Sequence, residues 1–387
     1  MRRRKISDED SDIEDLMEDV GLTPKVLASL KAHPEATKIV AEIVNRLGIK
    51  DSALKRARLE LPSYLNITWS QVARHFALSH KFTWLDFDPI PGVTLCYLPP
   101  SFHRELYMRS WSAMNVYAEP AERMLEAPRY LVPLFALFAG RIEDFPEHAM
   151  PETELSSGGS VEHKIFIVGN IIFLVIELKA YFDNMERNIA HLFTELYSAS
   201  KMNGDEGFES LTVYGLLTDL GTFHFYSFNP ISNTFYRDHK MTVPRDREDF
   251  LYGMMAVVDQ IFSLVLQGYV DTLKATCTKS EEPSSGSPTT KGRLSLEAWR
   301  KAHQHALAAQ KQFSGNLTAL EESAAEGLEF LEKSVACVRR ITYNSSDHDI
   351  PSKADLETIA QKAVEKWHVD LCERQARHAV TQSSSNA

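Results

Sequence analysis

The sequence predicts an α+β fold, with a mixed sheet core, flanking helices and helical arms at both ends. Three observations predict it. Short apolar runs rich in β-branched and aromatic residues alternate with turn residues between 161 and 228. An amphipathic helical segment, Asn184 to Ser200, interrupts those runs. Stretches dominated by Ala, Leu, Glu and Lys fill 294–340 and 353–380. At about 100–200 residues per domain, 387 residues fit two domains, or one domain with long flanking arms.

Residues 1–20 are charged and read as a disordered acidic N-terminus. Residues 21–78 read as a helical N-terminal segment, in which Ile39, Ile43 and Leu47 form one stripe and Gly48 is a stop signal. The core is expected over 80–275. Phe82 to Phe87 and Val93 to Leu98 are expected as two strands across a Pro/Gly loop. Residues 101–140 read as helix interrupted by prolines.

The clearest unit follows. Val161 to Val168 and Ile171 to Lys179 are strands, and Gly169-Asn170 between them is a hairpin signal. The helix at 184–200 presents Ile189, Leu192, Phe193 and Leu196 on one face. Leu211 to Thr218 and Thr222 to Phe228 are two more strands. Phe250 to Leu273 is an inner helix, apolar on most sides. Residues 279–293 read as a linker of Ser, Pro, Gly and Thr. Residues 294–380 form a helical C-terminal arm with a stripe of Leu317, Leu320, Ala324, Leu328 and Leu331. The tail, 381–387, reads as disordered.

Composition removes several function classes. The net charge of −11 argues against a protein that coats nucleic acid through its overall field. The four cysteines have no C-x-x-C spacing, so neither a zinc knuckle nor a redox pair is indicated. The sequence lacks a P-loop, a G-x-S-x-G elbow and an H-E-x-x-H helix. Asp219 reads as a turn aspartate and His224 as a packed histidine. The most apolar stretch, Ile165 to Leu178, is too short to span a bilayer, and no membrane partner is expected. Arg2 to Lys5 is either a nuclear address or a solvated terminus. The protein is expected to be intracellular, in nucleus or cytoplasm.

One constellation carries chemistry. Glu177 and Lys179 close a very hydrophobic strand and share a face by alternation. If the hairpin turns at Gly169-Asn170, Glu177 falls opposite Glu162. Two facing carboxylates repel unless a divalent cation lies between them. Glu154 and Glu152 are spare candidates for the first acid. His191 and Glu195, four apart on the following helix, share a face that could reach the metal or its water, although a solvated face is the simpler expectation.

This arrangement, an acid on one hairpin strand and E-x-K at the end of the next, then a helix and more strands, resembles the PD-(D/E)xK, or restriction-endonuclease-like, nuclease superfamily. The segment from Val161 to Lys179, with Val213 to Asp219 behind it, is also similar to fungal proteins related to Crinkler-type effectors. The resemblance covers roughly 80 residues. It implies a Mg²⁺-dependent endonuclease acting on DNA, with Glu162 and Glu177 as metal ligands and Lys179 as catalytic base or transition-state stabiliser. The first acid departs from the family pattern: it is a glutamate with no Pro-Asp before it. The alternative is an inactive nuclease-fold interaction or effector protein that binds protein partners through its helical arms, the C-terminal helices above all.

Overall fold

The computed structural model describes residues 61–114, 127–167, 171–179, 182, 184–244, 246–281, 290–315, 317–338, 358, 361–362 and 364–366. The expectations for 1–20, for most of 21–78, for the Gly169-Asn170 turn and for the tail lie outside these residues. So does most of 353–380, whose few described residues are helical.

A seven-stranded mixed sheet organises the chain. Its strands are β1 (Ile142–Met150), β2 (Gly159–Ile167), β3 (Ile171–Leu178), β4 (Val213–Thr218), β5 (Thr222–Asn229), β6 (Thr234–Arg237) and the short β7 (Met241–Thr242). The order is β1-β2-β3-β4-β5-β6, with β7 also on β5. β3 and β4 are parallel, and the other pairs are antiparallel. A parallel pair needs a crossover, and α4 supplies it here. The helices are α1 (Trp69–His75), α2 (Pro100–Met114), α3 (Ala127–Ala136), α4 (Met185–Asp205), α5 (Arg247–Glu281), α6 (Thr290–Phe313) and α7 (Leu320–Cys337).

All eight residues of β3 are buried, because both faces of the sheet are covered. On one face, Val175 and Leu217 pack with Ile189, Leu192, Phe193 and Leu196 of α4. On the other, Ile176, Leu178 and Leu216 pack with α5 and, beyond it, with Ala302, Ala306 and Phe313 of α6 and Leu331 of α7. By length and composition α5 is apolar enough to cross a membrane, but 72% of its most apolar window is buried inside this fold, so it serves as the central helix of the second layer.

Four expectations differ from the structure. Residues 82–87 and 93–98 are not strands. Phe82 instead meets Trp84 edge-on and Phe87 at a tilt. The backbone of 96–98 is satisfied from the helical layer: Cys96 N donates to Ser263 Oγ (2.8 Å), Tyr97 N to Phe313 O (2.9 Å) and Leu98 N to Asp259 Oδ1 (3.0 Å). Strand β1 arises where none was expected. Its Pro146 is tolerated because β1 is an edge strand. The expected linker is helical at both ends, since α5 reaches Glu281 and α6 starts at Thr290. The stretch 294–340 is two helices packed into the core rather than a free arm. Ala324 and Leu331 of its stripe are buried, while Leu317 is 60% exposed.

Candidate functional site

The site is built at the C-terminal end of β3. The hairpin register follows the sum expected from its turn: His163 pairs with Ile176, Lys164 with Val175 and Ile165 with Leu174. A bulge at Ile165/Phe166 shifts only the rows nearer the turn. The next row outward therefore holds Glu162 and Glu177. Their carboxylates do not meet head on. Glu162 Oε2 turns back to accept a hydrogen bond from Leu178 N, and its Oε1 lies 3.9 Å from Lys179 Nζ. Lys179 Nζ is also hydrogen-bonded to Glu177 Oε1. The structure thus brings Glu162, Glu177 and Lys179 together.

The helix adds two more groups. Asn184 caps α4, its side chain accepting from Arg187 N at 3.0 Å. Two and three turns further on, His191 and Glu195 face the strand. His191 Nδ1 is 2.8 Å from Glu177 Oε1, and His191 Nε2 is 3.2 Å from Glu195 Oε1. The far end of α4 is tied to the start of β3 by a double hydrogen bond: Asn203 Oδ1 accepts from Ile172 N (2.8 Å) and Asn203 Nδ2 donates to Ile172 O (2.7 Å). From Asn203 back to His191 the helix rises roughly 18 Å, and from Ile172 to Glu177 the strand rises roughly 17 Å. The two antiparallel elements therefore keep step, and the clamp at one end sets the cluster at the other.

Glu177 and Glu195 are almost wholly buried, and His191 nearly so. The helix face expected to be solvated is thus an inner face, because α4 packs flat on β3 and β4. Tyr64 covers His191 edge-on, with ring centroids 5.9 Å apart. Glu162 and Lys179 keep 35% and 22% side-chain exposure, so these two connect the cluster to solvent. Glu154 is not part of it. It is bound by Tyr197 Oη (3.0 Å) and Lys201 Nζ (3.4 Å). Glu152 is exposed. Tyr64 was not singled out from the sequence, since nothing local marks a residue 127 positions from its partner.

The electrostatics follow from the packing. Burial, and then the Glu177 charge, push the Glu162 carboxyl up to about 7. Burial raises Glu177 too, but His191 and then Lys179 outweigh it and hold Glu177 below the usual carboxylate range. Burial, followed by the Glu177 charge, drives Glu195 well above that range. Burial lowers Lys179, but the Glu177 and Glu162 carboxylates more than compensate, so it stays protonated.

A divalent cation fits the donor chemistry. Glu177, His191 and Glu195 each offer one ligand atom, all within 4.8 Å of one another. Glu177 Oε2, His191 Nε2 and both Glu195 oxygens are buried without a hydrogen-bond partner. Each such atom costs about 1–3 kcal/mol if left so.

Two other expectations are met by bland packing. Asp219 Oδ1 accepts from Gly221 N (3.0 Å) and Thr222 N (2.7 Å), closing the β4–β5 turn. His224 is buried and stacked on Trp84. A surface cavity of about 410 Å³, lined by Pro100, His103, Arg104, Tyr107, Met108 and Met255, includes none of the cluster residues. No protein-family model, curated protein or solved structure matches the chain.

Proposed function

We propose that the chain is a divalent-metal-dependent, nuclease-like protein that hydrolyses phosphodiester bonds of DNA, a member of the PD-(D/E)xK kind that its sequence resembles. The observation that carries this reading is the convergence of Glu162, Glu177 and Lys179 at the end of one hairpin, with Lys179 Nζ bonded to one carboxylate and 3.9 Å from the other. The chain order supports it as well: acid strand, E-x-K strand, helix, parallel strand.

In this reading Glu177 and Glu162 hold Mg²⁺. Bound there, the ion would supply Lewis acidity and lower the pKa of a water, making hydroxide available as the nucleophile. The protein contributes position and charge. Lys179, bonded to Glu177 and 3.9 Å from Glu162, would serve as the catalytic base or stabilise negative charge developing on the phosphoryl oxygens. Glu162, the more exposed of the two carboxylates, would hold the ion on its solvent side, beside Lys179.

One observation favours the second reading, an inactive nuclease-fold protein that binds partners. Glu177 Oε1 is already engaged by both Lys179 and His191, as in a self-contained buried network. In that case partners meet the outer faces of α6 and α7, since their inner faces are in the core.

Calorimetric titration of Mg²⁺ and Mn²⁺ into wild type and Glu177→Ala, followed by a plasmid-nicking assay, tests the choice. Metal binding and nicking that both disappear in the variant are the expected result. A wild type that binds no metal leaves the second reading.

A further inference from the structure

We infer that Glu177, His191 and Glu195 form a three-ligand centre that selects a borderline transition-metal dication, of the Mn²⁺, Fe²⁺, Co²⁺ and Zn²⁺ class, over Mg²⁺. The inference rests on the metal-binding half of the function proposed above, not on hydrolysis.

The argument begins with ligand type. Mg²⁺ is hard, keeps most of its waters and is held by one or two carboxylates and other oxygens. An imidazole nitrogen suits the later divalent ions. Here the imidazole is not peripheral. His191 lies between the two carboxylates, one ring nitrogen 2.8 Å from Glu177 and the other 3.2 Å from Glu195. Its Nδ1 is taken by Glu177 Oε1, so Nε2 is the nitrogen left to bind.

Geometry adds preorganisation. His191 and Glu195 sit four residues apart, on adjacent turns of one helix face. The Asn203–Ile172 clamp and the packed α4–β3 interface fix that face over Glu177. The three side chains are almost entirely shut off from water, so a strongly hydrated Mg²⁺ would lose most of its shell on entry.

The second, independent observation is the set of orphaned atoms. Among the described residues, four buried atoms without a hydrogen-bond partner fall on these three adjacent side chains: Glu177 Oε2, His191 Nε2 and both Glu195 oxygens. A cation accepts electron density from all three groups at once.

The test uses the full chain. Metal-stripped protein is dialysed against equal concentrations of Mn²⁺ and Mg²⁺, and bound metal is counted by mass spectrometry. Pulsed electron paramagnetic resonance of the Mn²⁺-loaded wild type then looks for nitrogen coupling from a bound imidazole. One Mn²⁺ per chain, preferred by tenfold or more and coupled to nitrogen, is expected. His191→Gln should weaken Mn²⁺ binding by roughly 10–100-fold and leave Mg²⁺ binding little changed. Glu329→Gln, on the solvent face of α7, should match wild type.

Equal uptake of the two ions, or Mn²⁺ bound without nitrogen coupling, overturns the inference, and neither readout depends on a variant that folds. Nicking is scored separately. Nitrogen-coupled Mn²⁺ with no nicking upholds this centre and removes the nuclease reading. Mg²⁺-driven nicking that survives His191→Gln, without nitrogen coupling, does the reverse.

Discussion

Gly268→Ala should destabilise the protein, although it replaces a glycine inside a helix. Gly268 lies on α5 where that helix crosses β3. A Cβ built there would sit 2.4 Å from Phe173 Cδ2, 3.1 Å from its Cγ and 3.3 Å from its Cβ. Ordinary carbon contacts lie at about 3.5–4.0 Å, so the overlap is more than 1 Å. The obstacle cannot swing aside easily, because Phe173 is 2% exposed and packed within the core. Alanine gains about 1 kcal/mol of helix propensity over glycine. Overpacking a filled core costs about 1–3 kcal/mol, and more where the backbone must move. The net expectation is a loss of about 1–2 kcal/mol. Urea unfolding followed by far-UV circular dichroism measures it, with the slope of the transition expected to match wild type. Phe173→Leu in the same chain should restore part of the loss, giving a favourable coupling of about 1 kcal/mol in the double-mutant cycle. Gly268→Ala protein as stable as wild type, or more so, would refute the packing argument.

Further outcomes follow from other buried groups. Lys164 is fully buried, and among the described residues its Nζ donates to Ala149 O and Met202 Sδ, both at 3.4 Å, and lies 5.0 Å over the Phe166 ring, while burial lowers its pKa to about 8. Between about pH 8 and 10.4 the unfolded chain binds the extra proton at this lysine, so its own contribution to stability should rise with pH, against the fall contributed by buried Cys96, whose thiol burial pushes up to about 12. Lys164→Met should stabilise the protein at pH 7 by about 1–3 kcal/mol and abolish that rise. Thermal melts from pH 7 to 10 check both, and a destabilised variant would show that the ammonium has a partner of real value. Asn203→Ala strands the buried N–H and C=O of Ile172 and should cost about 2–4 kcal/mol. Because Asn203 also sets α4 against β3, any metal binding by the folded variant should weaken, and calorimetry on that variant reads it directly. A folded Asn203→Ala protein with unchanged metal affinity would deny the clamp its positioning role.

Much of the site was legible because it is local. The apolar runs around Gly169-Asn170 specify a hairpin, and the pleat then puts Glu162, Glu177 and Lys179 at one end of it. The observed pairing keeps the expected register at that end, and the bulge falls nearer the turn. Helical spacing likewise put His191 and Glu195 on one face. Their burial was not legible. A histidine and a glutamate in a helix look solvated until a strand with its own glutamate is packed beneath them. Strand β1 was hidden by Pro146 and its acidic residues, which suit only an edge position. Residues 82–87 and 93–98 have the composition of strands, yet the backbone of 96–98 is satisfied by Ser263, Asp259 and Phe313, far along the chain. Composition reports the demand for burial and leaves open which partner meets it. The same holds for the C-terminal helices, whose leucine stripe reads as well for a free arm as for the second layer that it forms.

The two faces of the sheet differ in when the ribosome delivers them. Every buried residue in the layer shared with α4, from Tyr64 to Phe235, has been synthesised before α5 begins. The opposite layer draws on residues out to Val338. The face that carries the glutamate–histidine cluster can therefore assemble first, on a nascent chain whose other face still shows Ile176, Leu178, Leu216 and Phe225 to solvent. Until α5 emerges, that exposed sheet face is a natural client for chaperones that hold apolar surface. A stop codon after α5 would cover the sheet but leave the outer side of α5 without Ala302, Ala306, Phe313 and Leu331, so C-terminal truncation should be felt as aggregation before it is felt as lost chemistry.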